Sequence, residues 1–148
     1  MNNPTNRSSV YQEVSVQTSS PVRLVIMLYE GAIRFLRQSI EAIQVRDLEQ
    51  KRQYIDRSIA IIQHMQSTLD CDKGLEIAAD LDRLYTYITS CILAGSGKLD
   101  TAPLEEAIKL LSVLLTGWEQ VAKKEQLPSV LPVLLAQQAA GGRLEWNG

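Results

Sequence analysis

The residues whose types could do chemistry are few in this 148-residue chain, and their spacing argues against catalysis. His64 is the only histidine. A carboxylate-bridged di-iron centre in a helical bundle takes inward glutamates and two Glu-x-x-His pairs, whereas the residue three before His64 is Ile61. Any Ser/His/Asp or Cys/His arrangement would also have to form around His64, which helical spacing puts on the polar side of its helix, facing solvent. Asp70-x-Asp72-x-Gly74 begins like a calcium loop, but an EF-hand needs glycine at the sixth position and glutamate at the twelfth. Here glycine is fifth and the twelfth residue is Leu81, so a turn leading into a helix is the better reading. Gly95-x-Gly97 ahead of Lys98 lacks the full phosphate-cradling pattern and a strand before it. Cys71 and Cys91 form no Cys-x-x-Cys pair; one loop position and one small core position account for them. The helices that periodicity defines carry no inward carboxylates. The chain is therefore expected to be a non-enzyme, with no metal and no cofactor.

Composition narrows the classes that remain. The net charge is −2 and there is no basic run, so no nucleic-acid footprint is present. No stretch of about 18 uncharged apolar residues exists, and no membrane insertion is expected. Residues Met1–Arg7 lack the apolar core of a signal peptide. These features predict a cytoplasmic protein with reduced thiols. Hydrophobic residues make up 45% of the chain but aromatics only 5%, which points to an aliphatic core of packed helices in one domain.

The elements emerge from periodicity and caps. Ser20 is a good N-cap and Pro21 suits the first helical position, so a helix is expected from there to about Ile43. Asp47 with Gln50 reads as a capping box for a second helix to about Leu69, with Leu48, Ile55, Ile59, Ile62, Met65 and Leu69 inward. After the turn at 70–74, a third helix to about Leu93 turns Ile77, Ala78, Leu81, Leu84, Tyr85, Ile88, Cys91 and Ile92 inward. Gly95-Ser96-Gly97 reads as a chain break. Thr101 as N-cap and Pro103 in the first turn open a fourth helix to about Lys123, burying Leu104, Ala107, Ile108, Leu111, Leu114, Leu115, Trp118 and Val121. Short connections make neighbours antiparallel. The fold class is all-α: an antiparallel up-down four-helix bundle, with a short extra C-terminal helix starting near Pro128 or Pro132. The expected organisation is a disordered 1–9, a single bundle domain over 10–140 and a mobile tail at 141–148.

The first helix is apolar over more than twice the roughly 100° stripe that a surface helix needs. Leu24, Met27, Leu28, Gly31, Phe35 and Ala42 form one face. Val25, Ile26, Tyr29, Ala32, Ile33, Leu36, Ile40 and Ile43 form a second beside it. The bundle core absorbs one face. The other is covered by neighbouring helices or lines a groove for a partner segment, and periodicity leaves both readings open.

Thr18-Ser19-Ser20-Pro21-x-x-Leu24-Val25-x-Met27-Leu28-Tyr29-Glu30-Gly31-Ala32-Ile33 resembles the signature of the flagellin-specific export chaperones, the FliS family. Tyr11 and Val16 sit where that family has a tyrosine and a valine. The similarity continues through 67–78 and Leu84-Tyr85-Thr86-Tyr87-Ile88 to Trp118, covering roughly residues 10–122. Gly117 departs from the family's tendency to alanine, and the tail after Trp118 is long and apolar.

The resemblance implies an antiparallel helical bundle that binds the disordered C-terminal segment of flagellin in the cytoplasm. It also implies that the protein blocks premature polymerisation and assists delivery to the flagellar type III export gate. A disordered segment loses chain entropy on binding, so it needs a broad apolar surface. Tyr11, Val16 and Met27 carry over from the signature as expected contacts, and the helical wheel adds Val25, Ile26, Tyr29 and Ile33, of which Tyr29 also matches the signature. The state in solution is expected to be monomer or weak dimer. A homo-oligomeric helical adaptor, using the same apolar face against itself, is the alternative. Val10, Tyr11, Val14 and Val16 are expected to fold back over the first helix as a cover that the client displaces.

Overall fold

The computed structural model describes residues 20–69 and 75–124. The described residues form four helices: α1 (Pro21–Gln44), α2 (Leu48–Ser67), α3 (Leu75–Lys98) and α4 (Thr101–Lys124). Ser20 starts α1 as its spacing predicts. Its backbone is extended and its Oγ accepts from the Arg23 N–H at 3.2 Å, satisfying a donor that has no partner inside the helix. Asp47 does the same for α2 by accepting from the Gln50 N–H at 3.1 Å.

Helices α1 and α2, and α3 and α4, are joined by turns built on one plan at the same end of the bundle. After α1, Arg46 takes a left-handed conformation (φ 60°), and the Asp47 N–H reaches back to the Ala42 carbonyl at 2.9 Å. After α3, Leu99 takes it (φ 52°), and the Asp100 N–H reaches back to the Gly95 carbonyl at 3.0 Å. This is the Schellman closure, with a non-glycine residue where glycine is usual. In both turns the aspartate that closes one helix starts the next. Asp100 accepts from the Ala102 N–H at 3.0 Å, so it takes the capping role expected of Thr101, which lies inside α4.

Gly95-Ser96-Gly97 is helical, not a break, because α3 runs on to Lys98. Gly95 is needed for closeness. A Cβ there would come within 2.8 Å of both the Asp100 carbonyl oxygen and Leu104 Cγ, the first core residue of α4. Lys51 on α2 ties the same end together, donating from Nζ to the Ser96 carbonyl and hydroxyl at 3.2 Å each.

In cross-section the helices form a ring in which α1 packs on α2 and α4, and α3 packs on the same two. The core runs through all four helices, with Val22, Leu36, Ile62, Ile88, Ile92, Leu104 and Leu111 fully enclosed. Two expected core positions lie outside it. Leu48 is 51% exposed and Ile77 is 37% exposed, each in the first turn of its helix, where the bundle end offers little cover. His64 is half-buried, not on a fully wet face. No group of three or more metal-ligating side chains occurs among the described residues, nor a helix long and apolar enough to cross a membrane. The expectations for 1–19, the turn at 70–74 and the segment after Lys124 lie outside the described residues.

Candidate functional site

The wide apolar arc of α1 is almost wholly used by the bundle. Its second face, the one that periodicity leaves in need of another cover, is the core face: Val25, Ile26, Tyr29, Ile33 and Leu36 are 8%, 5%, 0%, 5% and 0% exposed. Most of the other face lies against α2, Met27 excepted. There Phe35 stacks on Tyr54 with centroids 6.2 Å apart, and Arg57 lies over both rings. Gly31 sits so close to α2 that a Cβ would touch Ile61 Cδ1 at 3.5 Å. Close packing on both flanking helices, α2 and α4, lets α1 bury so much of its circumference.

Tyr29 shows how firmly this face is closed. Its hydroxyl lies 2.5 Å from that of Tyr85 on α3, so the pair joins two helices that face each other across the ring. The rings sit 6.4 Å apart and tilted. Burial pushes the Tyr29 hydroxyl up to about 12, against the opposing pull of hydrogen bonds with Tyr85 and Trp118. Burial likewise holds Tyr85 well above the ordinary tyrosine value. Both phenols are neutral hydrogen-bonding groups at physiological pH and do no acid–base chemistry there.

One stretch of α1 stays open. At its first two turns, beside the last turns of α4, a groove of about 340 Å³ lies between the helices. Ile26, Met27 and Ala122 supply its apolar surface, and Arg23, Glu30, Glu119 and Lys123 supply its charges. Met27 is 45% exposed, a large unbranched side chain on a surface position. A thioether adapts its shape to different apolar neighbours, which suits contact with a partner better than a fixed structural role.

The sequence that builds these helices matches a known family. The family model described as flagellar protein FliS matches residues 1–125. The chain belongs to the FliS family. It is 30% identical over 121 residues to the flagellar secretion chaperone FliS of Bacillus subtilis, covering 82% of this chain and 90% of that protein. The similarity to the flagellar secretion chaperone FliSB of Pseudomonas aeruginosa is 31% over 116 residues, covering 76% and 92%. For the flagellar secretion chaperone FliS of Campylobacter jejuni it is 32% over 117 residues, covering 79% and 91%. FliS is a chaperone family and not an enzyme family, in keeping with the lack of catalytic spacing in the sequence.

In this FliS-family chain the residues expected to meet a partner fall into separate places. Met27 stands at the groove, with Ile26 on its floor. Val25, Tyr29 and Ile33 are enclosed by the neighbouring helices. Tyr11 and Val16 lie outside the described residues. Sequence reasoning missed Glu119, Ala122 and Lys123, because only the packing of α4 beside α1 brings them to Met27. The one signal in the sequence is the unusual apolar breadth of α1, which shows that a surface is shared but not with what.

Proposed function

We propose that this chain is a cytoplasmic flagellar export chaperone whose client is the C-terminal segment of flagellin. It holds that segment away from premature polymerisation and helps bring it to the type III export gate. The observation that carries this reading is the family match over residues 1–125, together with the signature at 18–33. The groove between α1 and α4 supports it physically. An incoming amphipathic segment gains apolar contact with Met27, Ile26 and Ala122, while the charges around them remain in water and select against misplaced charged partners.

Tyr11 and Val16, in the arm that leads into α1, belong to the proposed contact set. Val25, Tyr29 and Ile33 belong to it only if α1 separates from its neighbours when the client arrives. Hydrogen exchange along α1, with and without client, decides between surface docking and opening. The free protein is a monomer or weak dimer in this reading.

Calorimetry and size exclusion with a full-length flagellin test the proposal. The expected result is a one-to-one complex with a large negative heat-capacity change from apolar burial. Absence of heat and of co-elution at micromolar concentration overturns it.

A further inference from the structure

We infer that the groove between α1 and α4 is the docking site of the chain's own segment 127–135. The wall formed by α4 ends with Lys123, and the helix itself ends one residue later, so the chain leaves the described structure at the edge of the groove. Glu125 and Gln126 separate Lys124 from Leu127. Two extended residues reach about 7 Å, enough to turn back over the helix end at little entropic cost.

The segment beyond that link is built to be covered. Leu127, Val130, Leu131, Leu134 and Leu135 stand at i, i+3, i+4, i+7 and i+8, a single apolar stripe when placed on helical spacing. No charged residue occurs between Leu127 and Gly142. Burying such a stripe is favourable, and the groove beside the last turns of α4 offers it the half-exposed Met27 and Ala122 over the buried Ile26. Being uncharged, the segment leaves Arg23 and Lys123 hydrated at the rim, where their aliphatic stems can lie along its edges.

The arm ahead of α1 is a weaker occupant. It includes Glu13 and interleaves its valines with glutamine and serine. The family match also takes in the arm but stops at residue 125. The tail is thus an addition to the matched bundle.

The test uses the full-length chain without any client, so it stands or falls separately from the proposed function. Peroxide oxidation of Met27, read by peptide mass spectrometry, is compared between the native chain and a full-length Leu131→Asp, Leu134→Asp variant. Met65, only 4% exposed in the core, is the internal reference for folding. Met27 is expected to oxidise several-fold faster in the variant, with Met65 unchanged. Amide exchange over 127–135 should be slowed in the native chain alone, independently of protein concentration and with little effect of salt. Equal Met27 rates in the two proteins overturn the inference. So does protection that fades on dilution, which identifies a second copy as the occupant. So does protection that survives the tail substitutions but disappears when residues 1–16 are deleted, which identifies the arm.

Discussion

The two long edges of α1 end differently. Against α2 the edge is closed: Gly31 leaves room for Ile61, and Phe35 stacks on Tyr54. Against α4, the first two turns leave a groove with Met27 half in solvent. Both edges come from one apolar run in the sequence, and both look equally suited to the core on a helical wheel. The difference is made by what lies across from them. Gly31 and the stacked rings of Phe35 and Tyr54 lie where α1 and α2 close up, whereas Arg23, Glu30, Glu119 and Lys123 line the open end of the α1–α4 seam. Apolar breadth on a helix thus measures how closely its neighbours pack on it, and the site is the part that the neighbours leave over.

The largest effect should come from breaking the closed side. Tyr29→Ala removes a fully enclosed ring and its bond across the bundle, and should lower stability by roughly 3–5 kcal/mol. Tyr29→Phe keeps the ring but leaves the Tyr85 hydroxyl short of a partner, and should cost only about 1–3 kcal/mol. Urea unfolding of the two variants measures both.

Alkali should open the same side next. The Tyr29 hydroxyl is held at about 12 in the folded protein against an ordinary value of 10.0. Between those values the unfolded chain has lost a proton that the folded chain keeps. Stability therefore falls as pH rises through this window, by an amount on the order of a few kcal/mol. The contribution is fully present below pH 10.0 and gone above about 12. Chemical unfolding at stepped pH should show this loss in the native protein and a smaller one in Tyr29→Phe.

At the start of the helix, beside the open groove, Ser20→Ala should cost roughly 1 kcal/mol by orphaning the Arg23 N–H. A client affinity that drops with an unchanged melting curve would show that Ser20 is a contact and not merely a cap.

Much of this bundle is legible in the sequence. Ser20, Asp47 and the apolar spacing place the starts of α1 and α2, because side-chain caps and helical periodicity are local signals. The closures after α1 and α3 are not legible, since Arg46 and Leu99 occupy left-handed positions that glycine usually marks. The actual glycines mislead for the same reason. Gly95 serves the approach of Leu104 from the next helix, a contact that no local pattern reveals. The site is less legible than the fold. Val25, Ile26, Tyr29 and Ile33 carry the apolar signal, but which edge is closed depends on α2 and α4, and Glu119, Ala122 and Lys123 are more than 80 residues from Met27 in the chain.

If client recognition uses the surface that the bundle leaves open, Met27→Asp should separate binding from folding. At a half-exposed position this substitution should change stability by no more than about 0.5 kcal/mol. A carboxylate in the middle of the apolar contact should nevertheless weaken binding of the flagellin C-terminal segment about tenfold or more, or ~1.4 kcal/mol. Calorimetric titration of the native and Met27→Asp proteins, with a melting curve for each, gives both quantities. Near-equal melting temperatures and a lost or much weakened complex are expected. An unchanged affinity in a fully folded Met27→Asp protein would place client recognition elsewhere on the molecule and refute the role given to the groove.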